Sequence, residues 1–186
     1  LPIAGDSVEE LRSGLANTAD AHIIVTIGGV SMGDFDLVKN VLGTDGQIDF
    51  WQINMRPGKP LVFGQLNNIP LIGLPGNPVS SMVCFALFVR PALLRLMGHT
   101  DVTHPRIRSC AGERLESSSG KRTFIRVKLN HEHGNLVCRS VGDQDSYRMS
   151  SLVAGHGLAV IPEDATVEVG ESVDVMVLDE QAVLRL

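Results

Sequence analysis

Residues 70–83 read PLIGLPGNPVSSMV. The stretch changes character in its middle. PLIGL (70–74) is a short apolar run of the length a buried strand needs. From Val79 a long apolar segment continues to Met97, as a helix would. Between the two stands Pro75-Gly76-Asn77-Pro78. Asn is favoured at a helix N-cap and Pro at the first helical position, so Asn77-Pro78 reads as a helix start. That leaves Pro75-Gly76 unexplained. It is a turn at the carboxyl end of a strand, where open α/β sheets hold their ligands. Ser80 and Ser81 add hydroxyls to the first helical turn. The stretch therefore predicts a strand–turn–helix unit whose turn caps the helix and also forms part of a pocket wall. Pro91 is expected to kink the helix and Gly98 to stop it.

Working outward, the same alternation recurs. HIIVTI (22–27) is β-branched and continuously apolar, the pattern of a strand buried on both faces in a parallel sheet. GGVSMGDFD (28–36) breaks it, and a helix is predicted from about Phe35 to Leu42. IDFWQIN (48–54) and PLVFGQL (60–66) read as strands, and Asn67-Asn68 as a turn. Phe50 and Trp51 are neighbours, so only one can face the core of its strand. Asp6-Ser7-Val8-Glu9 reads as a capped helix start, followed by Val8, Leu11 and Leu15 at helical spacing. Residues 1–100 are thus expected to form an α/β domain.

A linker, GHTDVTHPR (98–106), precedes a different pattern. RIRSC, TFIRVKL, LVCRSV, LAVI and SVDVMVL are short strand candidates. NHEHGN (130–135) reads as a hairpin loop between two of them, and Met149–Ala154 as a helical turn. Residues 101–186 are expected to form a small β-barrel or sandwich.

Composition bounds the function. A chain of 186 residues with 44% hydrophobic and 20% charged residues is an ordinary globular protein. A formal net charge of -5 with no Lys/Arg block argues against nucleic acid as a partner. Cys84, Cys110 and Cys138 show no metal-ligand spacing and read as reduced thiols of a cytoplasmic protein. No apolar run is expected to span a membrane, and no signal peptide is evident. The chain opens on Leu1-Pro2-Ile3, which reads as a piece of a longer protein.

Three loops carry residue types suited to anion chemistry. In the first, Gly28, Gly29 and Gly33 let main chain approach a ligand, Ser31 adds a hydroxyl, and free N–H groups at a helix start attract oxyanions. Asp34 and Asp36 are able to hold a divalent cation between phosphates. A plain Gly-rich turn, with either Asp favouring the helix dipole, accounts for the same residues. In the second, RPGKP (56–60), two prolines hold a turn between Arg56, which can fork onto an oxyanion, and Lys59, a point charge. A hairpin with two solvated bases is the other reading. The third is the turn at residues 75–78. His131 and His133 read as polar hairpin residues in preference to metal ligands.

TIGGVSMGDFD (26–36), RPGKP (56–60) and GLPGNPVSS (73–81), in this order and ahead of a β-rich tail, resemble the molybdopterin molybdenumtransferase family (MoeA and the E domain of gephyrin). GKRTFIRV (120–127) and QDSYRMSSL (144–152) are similar to that family's C-terminal barrel. The resemblance covers nearly the whole chain and corresponds to the family's C-terminal half. It implies a three-layer α/β molybdopterin-binding domain, mostly parallel with helices on both faces, then a small all-β barrel. It implies insertion of molybdate into adenylylated molybdopterin with release of AMP and with Mg2+ assistance. By the same resemblance Asp36 is a catalytic acidic residue near phosphates and Mg2+, with Asp34 and Asp6 as further metal candidates. Lys59 and Arg56 bind molybdate or the terminal phosphate, with Lys59 catalytic. Pro75, Gly76, Asn77, Pro78 and Ser80 shape the pocket, and Arg122, Arg126 and Ser146 face the cleft. Asp145 stands where the family has Gly. A homodimer, contacts with other enzymes of the pathway, and inactivity of this piece alone are also implied, because the family's Thr-Gly-Asp-Glu-Leu motif would lie before Leu1. The alternatives are a non-enzymatic scaffold of the gephyrin E-domain type and a related molybdopterin adenylyltransferase; the β-rich tail and RPGKP count against the latter.

Overall fold

The structure, a computed structural model, describes residues 3–5, 7–29 and 37–185, without the side chains of Lys39, Thr44, Asp45, Phe50 and Trp51. The chain divides into two compact units, Leu1–Ile53 with Gly58–Phe85, and Asn54–Pro57 with Ala86–Leu186.

In the first unit, α1 (Val8–Leu15) starts at Ser7, whose hydroxyl accepts from the amide of Glu10 at 3.2 Å. The capping pair is Ser7 and Glu10, one residue later than Asp6 and Glu9. It is followed by β1 (Ile24–Ile27), α2 (Leu37–Asp45), β2 (Gly46–Gln52), β4 (Pro60–Leu66) and β5 (Ile69–Leu74). The short β3 (Met55–Arg56) intervenes in sequence but belongs to the second unit. The sheet order is β1-β5-β4-β2. Leu15, Ile24, Val38, Val41, Leu42, Val62, Leu66 and Leu71 form one core, which seats α1 and α2 on one face of the sheet. Strand alternation puts Ile72 and Leu74 on the other face, and the helix that begins at Pro78 packs against β5.

Two features differ from the sequence expectation. In the described part of this first sheet β1 and β5 pair in parallel, whereas β4 pairs antiparallel with both β5 and β2. The reason is the two-residue connection from β4 to β5, which cannot make a parallel crossover. Asn67 and Asn68 occupy it with φ 51° and 65°, a turn of the hairpin-compatible kind, and Leu66 faces Ile69. The second difference is β1 itself. Ile24 is buried, but Val25 is 37% and Ile27 71% exposed. Ile24 faces the core under α1 and α2, whereas Val25 and Ile27 alternate onto the other face, which the described elements leave largely uncovered at β1.

Residues Pro78–Leu96 are helical throughout, as α3 (Pro78–Cys84), a π-helical stretch (Phe85–Val89) and α4 (Arg90–Leu96). The irregularity lies before Pro91, where a proline's missing N–H disturbs the ladder. Gly98, at φ 87°, ends it, with amides of Gly98 and His99 donating to Arg95 and Leu94 carbonyls. By length and composition alone the 19-residue helix is long and apolar enough to cross a membrane, a test that a core helix also passes. Its Val79, Val83, Cys84, Ala86 and Val89 are buried within the protein.

The second unit contains β6 (Arg106–Ala111), β7 (Leu115–Glu116), β8 (Arg122–Glu132), β9 (Asn135–Ser140), α5 (Met149–Ala154), β10 (Gly157–Ile161), β11 (Thr166–Val167), β12 (Ser172–Val177) and α6 (Glu180–Val183). The order β10-β12-β6-β9-β8, with β8 pairing back onto β10, closes a five-stranded barrel. Ile125, Val127 and Leu129 of β8 meet Cys138, Ala159, Ile161, Val173 and Val175 inside it. The hairpin between β8 and β9 turns at His133-Gly134, both at positive φ, so it is tighter than the six-residue loop expected.

Candidate functional site

In the first unit β1 and β5 run parallel with Ile27 opposite Leu74, so both end at the same edge of the sheet. The chain leaves β1 through Gly28 and Gly29, at φ +82° and +68°, a region that disfavours any Cβ. The Gly28 amide donates to the Leu74 carbonyl at 3.0 Å. A Cβ placed on Gly76 would lie 3.6 Å from the Gly28 Cα, so the two loops are near enough that one added methyl group would bring them into contact. Pro75 is buried, while Gly76, Asn77 and Pro78 are exposed. Asn77 occupies the N-cap position with Pro78 at the helix start, but its side chain makes no capping hydrogen bond; its carbonyl accepts from the Ser81 amide at 2.9 Å. Ser80 and Ser81 are buried.

A cavity of about 600 Å3 runs along β1 and α1 in this unit and reaches Gly28 and Gly29. Its lining includes Leu11, Leu15, Ile24 and Val38, and among the described residues it contains no ionisable side chain. Most of this lining suits an apolar or planar surface; toward its glycine end the described polar groups are backbone amides and carbonyls and the Thr26 hydroxyl. In the RPGKP segment Lys59 is half-buried, and its carbonyl accepts from the Ile53 amide at 3.1 Å. Below it the Cys84 thiol donates to the Gly58 carbonyl at 3.7 Å, and burial pushes that thiol up to about 12.

Arg56 and Pro57 belong to the second unit. There the exposed Arg56 lies on β3, which pairs parallel with β8 as Met55 opposite Arg122, and its guanidinium donates to the Ser118 hydroxyl at 2.9 Å. The Arg122 side chain is exposed, and its amide donates to the Asn54 carbonyl. Arg126 is buried. Burial lowers its pKa; the charges of Asp143 and Asp145 oppose that shift, and the charge of Arg56 adds a smaller lowering. Its Nη2 donates to the carbonyls of Asp143 and Asp145 and its Nε to the Ser151 hydroxyl. Ser146 is half-buried beside this network. The Asp145 carboxylate accepts from the Tyr147 hydroxyl at 2.7 Å.

Of the expected site residues, Gly28, Gly29, Pro75, Gly76, Asn77, Pro78, Ser80 and Lys59 therefore lie in the first unit, and Arg56, Arg122, Arg126 and Ser146 in the second. Asp6, Ser31, Gly33, Asp34 and Asp36 lie outside the described residues. Among the described residues no group of three or more His, Cys, Asp or Glu side chains could hold a metal. Gln144, Ser151 and Ser118 were not legible as site neighbours, because each meets its arginine through contacts distant in sequence.

An α/β sheet with paired loops at one strand edge, joined to a five-stranded barrel, defines the class. Residues 1–95 match the family model described as "Probable molybdopterin binding domain", and residues 109–178 match the "MoeA C-terminal region (domain IV)". The chain belongs to the molybdopterin molybdenumtransferase family, that of MoeA and the E domain of gephyrin. It is 37% identical over 183 residues to molybdopterin molybdenumtransferase 2 of Mycobacterium tuberculosis, covering 95% of this chain and 44% of the relative. It is 32% identical to gephyrin of Dictyostelium discoideum, covering 87% of this chain and 26% of that one. A molybdopterin biosynthesis MoeA protein from Pyrococcus horikosii superposes with a TM-score of 0.73 at 27% identity, over 94% of this chain and 42% of that one. The chain thus spans less than half the length of these relatives.

Proposed function

We propose that this chain provides pterin- and oxyanion-binding surfaces of an enzyme of molybdenum cofactor biosynthesis, which inserts molybdate into adenylylated molybdopterin and releases AMP. The observation that carries the reading is the close approach of the Gly28-Gly29 and Pro75-Gly76 loops at the end of two parallel strands. Such a place offers backbone groups to a ligand and no side chain to obstruct it. Family membership supplies the chemistry: relatives that share 36–37% identity carry the name molybdopterin molybdenumtransferase. Residues 1–100 serve as the molybdopterin-binding domain and 101–186 as the barrel domain. Lys59 and Arg56 supply cations for molybdate or the terminal phosphate, Asn77 and Pro78 set the turn, and Arg122 and Ser146 lie on the ligand side of the barrel.

Mg2+ use rests on the family resemblance, through Asp36, Asp34 and Asp6. The functional protein is a cytoplasmic homodimer, a reading supported by the three free cysteines and by the prevalence of two-fold oligomers. It also meets partner enzymes that supply the adenylylated pterin. Titration of molybdopterin into the protein tests the reading. Saturable binding that depends on the pterin's phosphate is expected. Binding no tighter than to an unrelated acidic protein would overturn it.

A further inference from the structure

We propose that Arg126 is a positioning residue, whose buried guanidinium fixes the segment on either side of Ser146 and so sets where that hydroxyl is presented. The inference rests on the proposed function for Ser146 as a ligand-side residue.

Alternation along β8 sends Ile125, Val127 and Leu129 into the barrel, so Arg126 stands on its outer wall. A strand residue there would ordinarily meet solvent, yet Arg126 is 1% exposed. What it meets is the segment from Val141 to Ser151. The Val141 amide donates to the Arg126 carbonyl at 2.9 Å. The Gln144 side chain straddles the Arg126 backbone, accepting from its amide at 2.9 Å and donating to its carbonyl at 3.2 Å.

The guanidinium then grips the segment at two places. Nη2 donates to the carbonyl of Asp143 at 3.0 Å and to that of Asp145 at 3.1 Å; the second is the carbonyl of the peptide bond to Ser146. Nε donates to Ser151 Oγ at 3.0 Å, and that hydroxyl donates in turn to the Arg148 carbonyl at 2.8 Å. Ser146 and Tyr147 therefore lie between the Asp145 carbonyl and the Ser151 hydroxyl, both held by one rigid, planar group. All of these acceptors are neutral, the Asp143 and Asp145 carboxylates offset burial only in part, and among the described residues Nη1 makes no hydrogen bond. Burying a cation against neutral acceptors is costly, and an apolar side chain of the same length would fill the space without that cost. The guanidinium does what no apolar residue can: it binds separated acceptors at once in a fixed fork.

The chain has a single tyrosine, Tyr147, inside the held segment. Replacing it with 3-fluorotyrosine gives one fluorine resonance that reports the segment without any ligand. In folded Arg126→Met that resonance is expected to move toward its position in the denatured protein, with Arg126→Lys in between. A second arm measures molybdopterin binding. Ser146→Ala and Arg126→Met should each weaken it by about tenfold, and the double variant by about tenfold as well, because one residue acts through the other. An unmoved resonance in folded Arg126→Met would overturn the proposal, as would an additive, roughly hundredfold loss in the double variant. Should Arg126→Met fail to fold, Ser151→Ala removes the Nε acceptor alone; a smaller shift in the same direction is expected, and no shift overturns the proposal. If the parent protein binds no molybdopterin, the functional reading fails, and the fluorine measurement still decides the role of Arg126.

Discussion

The Gly28 amide lies 3.0 Å from the Leu74 carbonyl, and this hydrogen bond extends the β1–β5 ladder one step beyond its last paired residues, Ile27 and Leu74. It ties the start of one loop to the end of the neighbouring strand. Gly28 then turns into the left-handed region, where its missing side chain leaves open space.

Gly28→Ala should therefore lose stability through conformation alone. Its Cβ would meet nothing within 4 Å, but an L side chain at φ +82° costs about 1–2 kcal/mol. Gly76→Ala is the contrast. Its Cβ would sit at an ordinary 3.6 Å from Gly28, outside the left-handed region, and should cost less than about 0.5 kcal/mol. Urea unfolding of the two variants checks the order. Equal losses would show that the loop tolerates a side chain at Gly28.

Asn67 and Asn68 both adopt positive φ in the β4–β5 hairpin. Asn-Gly is the better pair for such a turn, since only Gly takes the second position without steric cost. Asn68→Gly should raise stability by roughly 0.5 kcal/mol, read as a higher urea midpoint at unchanged slope. A lower midpoint would mean that the Asn68 side chain contributes more than its strain costs.

Burial raises the Cys84 thiol from 9.0 to about 12. Between those values the folded protein keeps a proton that the unfolded chain has released. The unfolded state then binds fewer protons, so stability falls as pH rises through this window, by about 1.4 kcal/mol per pH unit. Cys84→Ala should flatten that alkaline decline relative to the parent. Parallel declines in the two proteins would show that the buried thiol does not control it. Alkylation by iodoacetamide at neutral pH should likewise be slow in the folded protein and fast in urea.

Much of this fold was legible in the residues. PLVFGQL spans β4, Met149–Ala154 forms α5, and the alternation of RIRSC, TFIRVKL and LVCRSV maps onto barrel strands, because local period and turn chemistry decide those elements. Pairing direction was less legible. HIIVTI has the composition of a doubly covered strand, but coverage depends on neighbours that a local pattern does not specify, and Ile27 remains exposed. At residues 75–78 the preference of Pro for the first helical position is met by Pro78. At Asn77 the residue type suited a cap, but the side chain does not make the bond. Arg126 illustrates the same limit. Its charge and place in GKRTFIRV suggested a ligand contact, whereas its described acceptors lie 17 to 25 residues further along the chain.

The central claim is that the RPGKP segment serves an oxyanion and is more than a hairpin with two solvated bases. Lys59 offers the most direct measurement. Its backbone carbonyl, which accepts from Ile53, is untouched by Lys59→Ala. The melting temperature of that variant should move little, since the half-buried Lys59 side chain makes no ion pair among the described residues. Loss of a charge-assisted contact should cost about 1.5–3 kcal/mol, or roughly tenfold to a hundredfold in affinity for molybdate measured by calorimetric titration. Parent-like molybdate affinity in a fully folded Lys59→Ala protein would contradict the account.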